Sequence, residues 1–186
     1  MVFSDTEIKE LLKAWAAISL VFAIANTRSP SVSFGPKLLA LSGLTVGLGL
    51  LIHEMGHKYV AQRFGFPAEF RSFDTMLVLA ILFSLTGWVF AMPGAVFIAG
   101  PPTRDENGKI STAGPGASLL LSTLFLIPHL LFGSADLFRV GFQINSWWAF
   151  FNLLPFPNFD GPKIYRWNKV VYGAMAATAF AFSFLL

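Results

Sequence analysis

Residues 48 to 63 read LGLLIHEMGHKYVAQR, an apolar run that carries His53, Glu54 and His57 in its middle. The run extends back to residue 37, close to the ~20 residues that cross a bilayer. Four more stretches have that length and composition: residues 8 to 26, 111 to 132, 138 to 155 and 169 to 186. The chain is 55% hydrophobic and 12% charged, against the roughly 25% charge of soluble domains. These values predict an all-α polytopic membrane protein with five to six transmembrane helices, the lipid bilayer being its solvent. Residues 1 to 186 read as a single integral membrane domain with a core at about 37 to 165 and no appended soluble domain. The N-terminus MVFSDTEIKE mixes acidic and basic residues and does not read as a removable signal peptide. The net charge of +3 is dispersed between apolar runs rather than gathered on one stripe, so no nucleic-acid partner is expected.

On a helix, residues four apart share a face, so His53 and His57 can both reach one ion. Cysteine is absent, which leaves His, Asp and Glu to complete a metal site. Zinc (Zn2+) held by two imidazoles and a third protein ligand keeps an open position for water, whose pKa falls toward ~7. Glu54, beside His53, is placed to take a proton from that water and return it to a leaving amine. A chance pair of solvated histidines is the bland alternative. Ionisable groups inside an apolar helix are costly and usually functional, which favours the metal.

The third ligand must come from another segment. Asp160 is the leading candidate, in NLLPFPNFDG, where Asn152, Pro155, Pro157, Asn158 and Gly161 break a helix and turn the chain. Asp-Gly is also a common turn dipeptide, and Glu69 and Asp74 are rival ligands.

Topology bears on the choice. With a cytoplasmic N-terminus, the 37 to 63 helix runs inward and His53 and His57 lie in its inner half. The stretch Thr75 to Gly100 can be a sixth helix or a hairpin folding about Thr86-Gly87. Only a re-entrant hairpin returns Asp160 to the histidines' side. It also puts Lys9, Lys13, Arg63, Arg71, Arg104, Lys109, Lys163, Arg166 and Lys169 inside, against Arg28, Lys37 and Arg139 outside, as the positive-inside rule favours. Tyr165, Trp167 and Tyr172 then fall near the inner boundary as interfacial anchors. The expected product is a multi-pass protein with its site toward the cytoplasmic half.

With His53-Glu54-Met55-Gly56-His57 and, about a hundred residues on, Asn152-Leu-Leu-Pro155-Phe-Pro157-Asn158-Phe-Asp160-Gly161, the chain resembles the site-2 protease family of intramembrane metalloproteases. The resemblance extends to Gly114-Pro115 and implies a zinc protease acting on a transmembrane protein substrate. It implies His53, His57 and Asp160 as zinc ligands and Glu54 as general acid/base. Asn152 would hold the substrate backbone near the metal, although a helix-packing amide is an equal reading of that residue. Two departures stand out: Ser118 where many members have Asn, and Pro162 where many have Gly.

Other polar residues read more plainly. PPTRDENGK, residues 101 to 109, reads as a polar loop. His129 reads as a polar helix end, and Trp147, Trp148, Phe150 and Phe151 as lipid or helix contacts. No serine has a His or Lys partner at a recognisable spacing. The runs Val78 to Phe83 and Ala95 to Ala99 are expected as strands whose edge can hold an extended peptide. The alternatives to intramembrane cleavage are a zinc peptidase at the membrane surface and a non-catalytic metal-binding or scaffold protein.

Overall fold

The computed structural model describes residues 1–27, 34–89, 92–133 and 136–186. Arg28, used above in weighing the topology, lies outside them. The described residues are 74% helical with one small antiparallel sheet, and the chain divides into two compact units. One comprises Val2–Leu51 with Glu69–Phe97, the other Ile52–Ala68 with Ile98–Leu186.

The first unit opens with α1 (Asp5–Asn26), which Ser4 caps by accepting from the Glu7 N–H. Then come α2 (Pro36–Ser42), a π-helical turn at Gly43–Gly47, and the start of α3 (Leu48–Arg63). Trp15 Nε1 donates to the Gly43 carbonyl at 3.1 Å. A Cβ on Gly47 would meet Ser19 Oγ and the Trp15 ring, so the small residues of the π turn let α1 come close.

Strand β1 (Ala68–Ser72) leads into α4 (Asp74–Ser84), and the chain returns along β2 (Gly94–Ile98). The Phe73 N–H bonds the Pro93 carbonyl at 3.0 Å and the Ala99 N–H bonds the Pro67 carbonyl at 2.9 Å. Those two bonds set the register: residues 95 and 97 face β1, and 94, 96 and 98 face away. Pro67 and Pro93 lack the reciprocal donor, which ends the ladder at both ends. The outer edge of β1 is closed by α1. Glu7 Oε1 accepts from Phe70 N at 2.9 Å and Glu10 Oε2 accepts from Ser72 N at 3.1 Å. Among the described residues no third strand flanks β2.

The excursion between the strands therefore begins and ends at adjacent points. Its helix has 11 residues, about 16 Å of rise against a ~30 Å hydrocarbon core. It turns at Thr86-Gly87, where Gly87 has φ +85, a conformation suited to glycine. The paired ends are in keeping with the hairpin alternative for Thr75 to Gly100, but the outward arm is a helix. The strand expected at Val78 to Phe83 is corrected, since those residues are helical. Leu79, Ala80 and Leu82 outnumber the two β-branched residues there, Val78 and Ile81, and favour helix. The strand expected from Ala95 is present as β2, and its partner β1 comes from AEFRS, which went unassigned in the sequence.

In the second unit, α5 (Arg104–Phe132) packs on α6 (Asp136–Asn152) and α7 (Asp160–Trp167), and both contact α8 (Lys169–Phe184). Residues 104 to 109 are helical, which corrects the polar loop. Thr103 and Glu106 form a capping box, with Thr103 N donating to Glu106 Oε2 at 2.8 Å, so a polar stretch becomes a helix start. Ala149, Leu153, Ile164 and Ala179 form the apolar core of this unit. Ser122 and Ser146 bond each other at 2.6 Å, and both reach the Phe142 carbonyl. Trp147, Phe150, Phe151, Phe180 and Phe184 stack between α6 and α8, which makes them helix contacts. Tyr172 donates to the Leu153 carbonyl, and Trp167 Nε1 to Asp105.

Among the described residues two helices are long and apolar enough to cross a membrane: Pro36–Arg63, of 28 residues, and Arg104–Phe132, of 29 residues. Helices α1, α6 and α8 lie where further spans are expected. However, α1 carries Asp5, Glu7, Lys9, Glu10 and Lys13 in its first half, and α6 and α8 have 17 and 16 residues.

Candidate metal centre

Helix α3 presents His53 and His57 on one face, and α7 begins with Asp160 at its first turn. Leu154 and Phe156 each precede a proline, which biases them away from helix. Helix α6 accordingly stops at Asn152 and the chain turns through 153 to 159 before Asp160. A Cβ on Gly161 would overlap the Leu153 carbonyl, so the Asp-Gly pair permits a close approach beyond making a turn.

The three side chains converge. His53 Nε2 and His57 Nε2 are 3.2 Å apart, and Asp160 Oδ2 is 3.5 Å from the first and 3.1 Å from the second. Zinc–nitrogen and zinc–oxygen bonds of about 2.0 to 2.1 Å in a tetrahedron give ligand–ligand edges of about 3.3 Å. The spacing thus fits one zinc ion. His53 and Asp160 are buried, to 2% and 7% exposure, and the His57 side chain is 12% exposed. They are the one group of three or more potential ligands among the described residues.

The other nitrogen of each ring is occupied. His57 Nδ1 lies 2.8 Å from the Ile110 carbonyl, which can only accept. Its proton therefore sits on Nδ1, and Nε2 offers a lone pair toward the centre. His53 Nδ1 lies 2.9 Å from Ser118 Oγ. Two imidazole nitrogens and a carboxylate converging at this spacing are a donor set that one bound cation satisfies at once. Ser118 is thus a histidine partner across 65 residues of sequence, which no local spacing could reveal.

Small residues on α5 make the room. A Cβ on Gly114 would overlap His57 Nε2 and approach His53 Nε2 at 2.8 Å, and one on Gly56 would lie 2.6 Å from the Ala113 carbonyl. Gly114 therefore clears the space where the ligand atoms meet, and Gly56 lets α3 and α5 touch. Pro115, fully buried beside it, supplies no N–H to the Ser111 carbonyl one turn back.

Glu54 is buried on α3 beside His53. Asn152 is half-buried, and its Nδ2 donates to the Trp148 carbonyl of its own helix at 2.9 Å. Of the rival ligands, Glu69 pairs with Arg71, and Asp74 with Lys13 at 2.6 Å and Ser72 Oγ at 2.8 Å. His129 Nδ1 is buried with no hydrogen-bond partner among the described residues.

Curated proteins with similar sequences share one kind of name. A Methanocaldococcus jannaschii protein, "Putative zinc metalloprotease MJ0611", is 36% identical over 176 residues, covering 91% of this chain and 88% of its own. "Putative zinc metalloprotease Rip2" of Mycolicibacterium smegmatis is 29% identical over 77% of this chain and 62% of its own. "Putative zinc metalloprotease YwhC" of Bacillus subtilis is 28% identical over 65% of each. No family profile matches the chain, and no solved structure does. A two-histidine, one-carboxylate centre on packed apolar helices is a donor set that suits a catalytic metal. This chain belongs to the zinc metalloprotease family of these relatives, and His53, His57 and Asp160 form a site able to hold the zinc.

Proposed function

We propose that the protein is an intramembrane zinc metalloprotease of the site-2 protease type, which hydrolyses peptide bonds within or near transmembrane helices of membrane-protein substrates. The observation that carries this reading is the buried convergence of His53, His57 and Asp160 at tetrahedral spacing, with Pro36–Arg63 and Arg104–Phe132 long and apolar enough to span. When bound, zinc polarises a water and lowers its pKa toward about 7. Glu54, buried beside His53, would be the residue that moves a proton to the leaving amine. Ser118 and the Ile110 carbonyl hold the two imidazoles with Nε2 inward. Asn152, whose Oδ1 is left over after Nδ2 bonds its own helix, accepts from or positions the substrate backbone.

A helical substrate hides its carbonyls in its own hydrogen bonds and must be extended before cleavage. The outward edge of β2, at residues 94, 96 and 98, is suited to hold an extended segment by backbone bonds. On this reading the chain makes five to six spans, counting α1, α6 and α8, with the centre in the cytoplasmic half, and the return of β2 to β1 supports that topology.

Reconstitution with a tethered transmembrane substrate, followed by mass mapping of the products, tests the reading. A cut inside or at the edge of the substrate's apolar helix is expected, and Glu54→Gln abolishes it. Cleavage confined to soluble flanks would favour a surface peptidase, and full activity in Glu54→Gln would defeat the mechanism.

A further inference from the structure

The face of α6 that ends in Asn152 carries two more polar atoms, and nothing among the described residues satisfies either. Asn145 is 1% exposed, and its Nδ2 donates to the Gly141 carbonyl at 2.8 Å. Flipping the amide would set oxygen against oxygen, so Oδ1 is an acceptor. It is buried and has no partner among the described residues. Three residues on, Trp148 Nε1 is a buried donor with no partner either. Its ring stands edge-on to His53, with centroids 6.4 Å apart.

Residues at i and i+3 share a helix face with Cβ atoms about 5–6 Å apart. The neighbouring polar groups are already engaged. Ser122 and Ser146 bond each other and the Phe142 carbonyl, and Ser118 bonds His53. One buried acceptor and one buried donor on one face therefore call for a single ligand that donates to the first and accepts from the second.

We propose that Asn145 Oδ1 and Trp148 Nε1 bind one resident water molecule, a hydration site beside His53. Water has the required donor and acceptor, and it is small enough to be sealed beside a residue only 1% exposed. A substrate amide offers the same chemistry but would need Asn145 to be open. Once held, the water keeps one O–H and one lone pair free and fixes the indole as a wall of the metal centre, so Trp148 acts as a positioning residue. The site differs from the metal's own water and does not depend on proteolysis, so it stands or falls separately from the proposed function.

The indole N–H resonances of the 15N-labelled full-length protein in detergent test it. The chain has five tryptophans, and the resonance missing in Trp148→Phe identifies Trp148. The expected result is a cross-peak from Trp148 Hε1 to water with the sign of a long-lived bound molecule, lost with an upfield shift in Asn145→Leu while the other indoles stay in place. The wild-type spectrum decides even if that variant fails to fold. No water cross-peak, a cross-peak to a protein group instead, or one unchanged by Asn145→Leu would overturn the proposal.

Discussion

Gly114 has no side chain, yet it decides whether His53 and His57 can meet Asp160. Because a Cβ there would overlap His57 Nε2, Gly114→Ala is expected to lose zinc binding while helix content by circular dichroism stays near wild type. Undiminished zinc would show that the imidazoles sit elsewhere. Ser118→Ala is milder: it frees His53 Nδ1, and loss of such an outer partner lowers metal affinity roughly 10- to 100-fold, measurable by competition with a chelator. The three converging side chains were legible in the sequence, since HEMGH pairs two of them by helical spacing and few carboxylates compete for the third place. Their supports were not. Ser118, Ile110 and Gly114 lie 53 to 65 residues from the histidines they touch, and no local pattern encodes that pairing.

Among the elements, the β1–α4–β2 excursion is the one that decides whether Asp160 can share a site with α3. The register puts Ala68 opposite Ile98 in a pair without mutual backbone bonds, where side chains lie closest. The chain has no cysteine of its own, so an Ala68→Cys/Ile98→Cys double variant gives a clean readout. Mild oxidation is expected to form the disulfide, seen as a mobility shift absent from either single variant. Failure to crosslink would reopen the single-crossing alternative. The turn at Thr86-Gly87 was visible in the sequence, but β1 was not, because AEFRS alternates over only five residues and Phe70 is its one strongly strand-favouring side chain. The start of α5 was hidden in the same way: TRDE is polar, and only the Thr103–Glu106 spacing marks it as a cap. Thr103→Ala is expected to destabilise the protein by about 1 kcal/mol, read as a lower unfolding midpoint in detergent.

For the whole molecule, composition alone predicted an all-helical membrane protein, and two helices have the length and apolarity to cross. Helix lengths explain why the rest was less plain. At 29 residues α5 rises about 43 Å, enough for a ~30 Å core, whereas the 16 residues of α8 rise about 24 Å. Single cysteines replacing Asp105 and Asp136 are expected to react with an impermeant maleimide from opposite faces of sealed vesicles, Asp105 from the cytoplasmic one. Labelling of both from one face would contradict the crossing of α5.

All of this rests on a zinc ion held jointly by α3 and α7, segments about a hundred residues apart in the chain. Zinc content of the purified wild type beside Asp160→Ala and Glu54→Gln tests that most directly. The account predicts about one zinc per chain in the wild type, the same in Glu54→Gln, and little in Asp160→Ala. Zinc bound by Asp160→Ala as fully and as tightly as by the wild type would contradict it.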